Sequence, residues 1–311
     1  MRQPGVVLCR RRRHRGWTPV LGGLTALVLS GCAGGHGGPA VATFTGPPTA
    51  TSRQLAEDVH QLLRRLQVLG DRNAIVESTG NTIVVTGTTG LPVPAAALIA
   101  PGMLQFRPVL CAAGPYTASA KAANTVEGPL PLGCSSGRYS LEAPNLVISP
   151  SNASANGYSS NLGSIAADPT LADRRSTTAA ANVADTGRSV LLPLAGGDGS
   201  RYLLGPAELN GGEITSATAT YEAPVWVVDA RFSTAGAVGW DELNQRYFHE
   251  MIGFDLDGRL LSVPVVQPNL SSFSSFAGRT KIAANFSRRA AEGFAAVLDS
   301  GPLVTPLRIA R

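Results

Sequence analysis

Between Cys111 and Arg201 the chain loses its apolar periodicity, and this interruption constrains the fold more than any other feature. The stretch GYSSNLGSIAADPTLADRRSTTAAANVADTG, residues 157–187, is mostly Ser, Ala, Asn, Thr and Gly with almost no recurring apolar position. Such a stretch cannot bury a face of its own, so the core has to be assembled from the segments on either side of it. Residues 111–201 therefore read as a long irregular insertion with one or two short strands, one of them around 189–192.

The segment before the insertion is well patterned. In SRQLAEDVHQLLRRLQVLG the residues Leu55, Val59, Leu62, Leu63 and Leu66 recur at helical spacing, and Thr51 with Gln54 offers a capping box. Residues 74–77 and 82–86 are β-rich runs around Thr79-Gly80-Asn81, a hairpin signal. Pro94 opens a short helix to residue 100, and 103–110 returns to strand character.

The last third is patterned again. In VWVVDARF, residues 225–232, Trp226, Val228, Ala230 and Phe232 share one strand face while Asp229 and Arg231 lie on the other. Trp240, Leu243, Tyr247 and Phe248 form the apolar stripe of a short helix. Strands over 251–256 and 260–266 flank Asp257-Gly258, and Ser287 caps a helix lined by Ala291, Phe294, Ala295 and Leu298. Gly301-Pro302 stops that helix before a strand over 303–309. The order β-α-β-β-α-β predicts an α+β fold made of ferredoxin-like split βαβ units. The first segment shows α-β-β-α-β, and the weak run 41–45 can supply its missing strand.

The formal charge of +5 and the pI near 9.3 invite a nucleic-acid reading, but location removes it. Arg2, Arg10, Arg11, Arg12, Arg13 and Arg15 lie in the first 31 residues with no acid beside them, so the remainder carries a formal −1. The apolar run at 20–29 is too short to span a bilayer, and Leu29-Ser30-Gly31-Cys32 follows it. Basic, apolar and small residues in that order describe a secretory signal, and the cysteine after them looks like a bacterial lipobox. The expectation is a lipoprotein signal peptide over 1–31, acylation of Cys32, and a Gly/Pro/Thr-rich tether over 32–52. Export would leave Cys111 and Cys134 as two thiols in an oxidising compartment, which favours a disulfide between them. They do not suggest zinc, because no second pair or nearby histidine completes a tetrahedral set.

Chemistry-bearing motifs are sparse. His60 sits on a helix flank beside Asp58, and His249 adjoins Glu250 at a helix end, where capping suits it better than catalysis. No nucleophile elbow, phosphate-binding glycine loop or paired-histidine zinc motif occurs. Asp255 and Asp257 lack the further oxygen ligands of a calcium loop, because Arg259, Leu260 and Leu261 follow at once. Asp257-Gly258 instead predicts a two-residue hairpin turn, since both residues tolerate positive φ. The expectations are no enzyme activity, no metal and no cofactor.

Taken together these segments resemble the first periplasmic domain of SecD. The match falls on Leu69-Gly70, Gly80-Asn81, residues 83–85, and Leu104, Phe106 and Arg107 in the first segment. It returns colinearly at 202–205, 210–214, 225–232, 254–258 with Ser262-Val263-Pro264, Asn285-Phe286-Ser287 and 301–303. The resemblance implies a base domain over 53–110 and a head domain over 202–311, joined by the insertion.

SecD-like proteins are export-channel accessories whose periplasmic domain engages emerging polypeptide. The resemblance implies a binding module whose partners are translocon subunits or secretory polypeptides, and a membrane reached through the lipid anchor. After residue 32 no apolar run reaches the length of a membrane helix, so a proton-driven motor is not expected. Two other readings stay open: a small-ligand or lipid-binding envelope lipoprotein, and a structural partner in an envelope assembly.

Overall fold

The computed structural model describes residues 40–87, 90–117, 158–159, 167–177, 186–197 and 199–310. Residues 40–45, expected within the tether, form the first strand, β1 (Ala40–Thr45). Phe44 is fully buried in a core with Leu55, Leu62, Leu66, Ile83 and Val85, so the strand is held by burial rather than by local propensity.

Helix α1 (Ser52–Val68) begins at the Thr51–Gln54 capping box: the Thr51 side chain accepts from the Gln54 amide at 3.3 Å, and Gln54 Oε1 accepts from the Thr51 amide at 2.9 Å. Strands β2 (Ile75–Thr79) and β3 (Thr82–Thr86) form a hairpin turned at Gly80, whose φ of 60° suits glycine. β1 pairs with β3, so β3 lies between β1 and β2 while α1 connects those two: a split βαβ.

The second half of that unit is not the next segment of chain. Helix α2 (Ala95–Leu98) has only four residues, and the strand after it, β4 (Leu104–Ala113), is buried at nine of its ten positions. A strand with both faces buried needs neighbours on both sides and cover above and below. β4 therefore leaves the first sheet for the middle of another. Its place beside β1 is taken from the far end of the chain, by β15 (Arg308–Ile309), with Phe44 opposite Ile309.

Past β4, β5 (Tyr158–Ser159), β6 (Val190–Pro193), β7 (Arg201–Leu204) and β8 (Leu209–Asn210) are short strands. A long hairpin follows, β9 (Ile214–Glu222) and β10 (Val225–Phe232), then α3 (Thr234–Arg246). The tight hairpin of β11 (Ile252–Leu256) and β12 (Arg259–Ser262) leads to β13 (Val265–Val266). β14 (Arg279–Phe286) and α4 (Arg288–Ser300) complete the series before β15.

The central sheet runs β12-β11-β4-β7-β6, with β8 also on β4. Phe106 faces Phe254 across one side of β4 and Val109 faces Leu204 across the other. The expected base segment and head segment thus share one sheet. The expected insertion enters it as well, through Cys111 to Ala113 at the end of β4 and through β6.

A separate three-stranded sheet runs β14-β10-β9. The head is consequently not a second split βαβ: the hairpin β11–β12 pairs with β4 and not with β10. Burial explains this, because Phe254 packs against Phe106 and Trp240 inside the largest core. The α+β class stands; the ferredoxin-like order is built only once, from the two ends of the chain. α4 lies against α1, β9 and β10, so one helix serves both layers.

Candidate functional site

Asp257 and Gly258 occupy the two turn positions of the β11–β12 hairpin, with φ of 52° and 78°. Their pairing geometry is that of a tight turn, and the two carboxylates point into the protein rather than to a metal. Asp257 Oδ1 accepts the Met103 amide at 2.8 Å and Oδ2 accepts the Gly102 amide at 3.1 Å. Asp255 Oδ1 accepts the Gly258 amide at 3.0 Å, while its Oδ2 accepts from Arg107 Nε at 3.1 Å. Among the described residues no group of three or more His, Cys, Asp and Glu side chains is arranged to hold a metal.

These carboxylates belong to a buried polar seam. Arg107 also donates to the carbonyls of Arg188 and Gly205, both at 2.9 Å, and to Gln105 Oε1. Arg65, from α1, donates to the carbonyls of Leu98 at 2.7 Å, Ala100 at 2.6 Å and Gly301 at 2.9 Å, and to Ser300 Oγ at 2.9 Å. Burial lowers the Arg65 guanidinium to about 10, against the pull of Asp257 and Asp58. Burial raises the Asp257 carboxyl, opposed by the Gly102 and Met103 amides and by Arg65, and reinforced by Asp255.

Gly102 sits at the centre of the seam with φ of 82°, where a Cβ would lie 2.6 Å from Val297 Cγ1 and 3.1 Å from Arg65 Nη2. A third buried arginine, Arg201, ties β7 to the carbonyls of Gly114 at 2.8 Å and Leu171 at 2.9 Å. The seam joins segments far apart in sequence and its charged groups are taken up by protein partners, so it is read as support.

Sequence reasoning missed this seam, although part of its signal was present. Asp58 and Arg65 fall at helical spacing on the Leu55–Leu62–Leu66 face, and a charge on an apolar stripe marks a buried partner. Asp58 accepts from the Val304 amide at 2.7 Å and from the Thr305 hydroxyl. Arg107 stands out only as part of the SecD-like match, and nothing local marks it or Arg201 as buried, since Asp255 and Gly114, among their partners, lie 148 and 87 residues away.

The other expected residues are dispersed. Cys32 and Cys134 lie outside the described residues, and Cys111 is buried on β4. His60 is exposed on α1. His249, with φ of 65°, stacks on Phe248 at 3.9 Å, and its Nε2 meets the Leu270 carbonyl at 2.7 Å.

Among the described residues the three-stranded sheet offers an edge to a partner. One side carries Ala217, Val228, Ala230 and Ile282 into the core under α3 and α4. The other side is mostly polar, with Thr218 opposite Asp229 and Asp229 opposite Lys281, then Ser216, Arg231 and Arg279 in the next row, although Val227 and Lys281 on it are buried. Lys281 Nζ reaches Glu222 Oε1 at 2.5 Å. Among the described residues β9 has no strand on its outer side, the position of an edge strand with main-chain groups left for pairing. One of these, the Ala217 amide, is met by Asp299 Oδ1 at 3.4 Å.

Residues 189–305, which include this sheet and the β11–β12 hairpin, match the model of the P1 head subdomain of SecDF. Residues 189–305 thus form a SecD-type P1 head subdomain. The Protein translocase subunit SecD of Magnetococcus marinus is 31% identical over 104 residues, which is 32% of this chain and 18% of that protein. The chain therefore spans less than a fifth of the curated relative it matches.

A crystal structure of SecDF in a super-membrane-facing form shares the fold, with a TM-score of 0.50 at 19% identity, covering 87% of this chain and 29% of that one. A further structure, described as a membrane component SecDF that enhances protein export, covers 87% of this chain and 97% of that one at 18% identity and a TM-score of 0.48. The SecD-type head as matched opens at β6, before residue 202, which agrees with β6 and β7 being paired in the central sheet. No helix among the described residues is long and apolar enough to cross a membrane.

Proposed function

We propose that this protein is a non-catalytic extracytoplasmic protein, anchored by an acylated Cys32, whose SecD-type head engages exported polypeptide or a translocon subunit. The carrying observation is β9, an edge strand, among the described residues, on a sheet whose inner face is packed and whose other face is mostly polar. An extended polypeptide meets such an edge by main-chain pairing, largely independent of its sequence, which suits a partner that handles many secretory chains. The absence of catalysis is supported by the use of the two conspicuous aspartates, Asp255 and Asp257, as acceptors for backbone and Arg107 donors. A Cys111–Cys134 bridge belongs to the same reading and is supported by Cys111 being a disulfide cysteine.

Photocrosslinking amino acids placed at exposed Thr218 on β9 and at Ser272 in the 270–280 loop test this in cells. The expected products are adducts with secretory chains or translocon subunits. Adducts with neither would refute it. Acylation is tested separately, by lipid labelling that Cys32→Ser abolishes.

A further inference from the structure

The tip of the β9–β10 hairpin is unlike the rest of the head surface. Residues Tyr221, Glu222, Ala223, Pro224 and Val225 are all exposed, whereas Val227, Val228 and Ala230 just behind them are buried. Tyr221 is 56% exposed and Val225 44%, and Trp226 lies beside them with its ring 5.3 Å from that of Tyr221. One ring with a polar edge, a valine and a proline thus project from the end of a hairpin, with half-buried Trp226 packed between the Tyr221 ring and the core.

Cationic charge stands next to this tip. Arg288 lies over the Trp226 ring at 5.8 Å and is held by Glu292 at 2.8 Å, and Arg289 beside it is exposed. Both arginines sit in the first turn of α4, which has no acidic residue. The helix dipole opposes positive charge at that end; Arg288 is offset by its pair with Glu292, whereas exposed Arg289 forms no ion pair among the described residues. Glu222, the acid at the tip, is already paired with Lys281.

We propose that the β9–β10 tip is a membrane-interface contact that inserts Tyr221 and Val225 at headgroup depth, brings the half-buried Trp226 behind them close to the headgroups, and sets Arg288 and Arg289 against anionic phospholipid. Aromatic residues with polar edges partition to that depth, and flanking arginines supply the complementary charge. The contact does not rest on polypeptide capture at the β9 edge: it uses the end of the hairpin and the start of α4, and each is tested without the other.

The test uses the full chain carrying Trp17→Phe, so that Trp226 and Trp240 are its tryptophans. Because the apolar run at 20–29 can itself hold the chain on a vesicle, the readout is quenching of Trp226 rather than sedimentation. Vesicles of phosphatidylglycerol brominated near the headgroup quench the emission, and Trp226→Phe removes the quenching. Trp240, which is 0% exposed, stays unquenched and reports an intact fold. Arg288→Gln and Arg289→Gln each raise the lipid needed for half-quenching by roughly fivefold, and Tyr221→Ser with Val225→Ser abolishes the effect.

Three results would overturn the proposal. One is Trp226 emission unchanged on brominated phosphatidylglycerol. Another is equal quenching on brominated phosphatidylcholine. The third is a Trp226 response to an unfolded secretory polypeptide that lipid does not produce, which would make the tip part of the polypeptide surface.

Discussion

Asp255 Oδ2 accepts from Arg107 Nε at 3.1 Å with both side chains 0% exposed, so β4 and β11 are joined by an ion pair that water does not reach. Removing one member strands the other as a buried charge. Asp255→Ala is expected to destabilise the fold by about 3–5 kcal/mol, whereas Asp255→Leu combined with Arg107→Met recovers much of the loss. Urea unfolding of the single and double variants measures both. Equal loss in the two would show that packing, and not charge burial, is at stake.

Asp257 makes stability depend on pH in a definite direction. Its carboxyl is raised above the ordinary 3.8, chiefly by burial, so the folded chain holds that proton more tightly than the unfolded chain does. Its contribution is therefore fully present below 3.8 and is lost as pH rises through the raised value. The urea midpoint of the natural protein minus that of Asp257→Asn should fall across this acid window and level off above it. A difference that rises instead contradicts the assigned shift.

Gly102 is the least replaceable residue of the seam. Alanine there combines a φ of 82° with a Cβ only 2.6 Å from Val297 Cγ1. Gly102→Ala should cost about 2–4 kcal/mol from strain and overpacking together. Adding Val297→Ala relieves the clash but not the backbone strain, so thermal melts should show partial recovery.

Phe106 lies on β4, within the expected base segment, yet its ring contacts those of Phe232, Trp240 and Phe254 at centroid distances of 5.8, 4.8 and 5.2 Å. Phe106→Ala should cost about 3–5 kcal/mol. Because α4 packs against both α1 and β9, tryptophan emission and helical circular dichroism should lose their signals in one transition. Two separated transitions would mean that the layers unfold independently.

Local chemistry was legible in the residues. The Thr51–Gln54 box opens α1, Ser287 accepts from the Ala290 amide at 3.3 Å to open α4, and Asp257-Gly258 turns β11 into β12. Each depends on groups within about four positions of one another, so a short window of sequence contains the whole interaction. The stripe on α1 was legible too, except that Asp58 and Arg65 on it had to be recognised as buried. The destination of β4 was not legible. Residues 104–113 read as a strand, but nothing in them names Ile252 to Leu256 on one side and Arg201 to Leu204 on the other as partners.

The sequence by itself determined where α1 and α4 begin, where the β2–β3 and β11–β12 hairpins turn and which residues of β10 share a face, together with the colinear pattern of a SecD-type head. Only the tertiary structure decided that β15 closes the sheet begun by β1, that β4 crosses from the first segment into the second, and that three arginines are buried. Strand pairing between residues as distant as Phe44 and Ile309 is a choice among many edges of similar backbone chemistry. That choice is settled by which arrangement buries Phe44, Phe106 and Phe254 while every buried guanidinium finds its carbonyls and carboxylates.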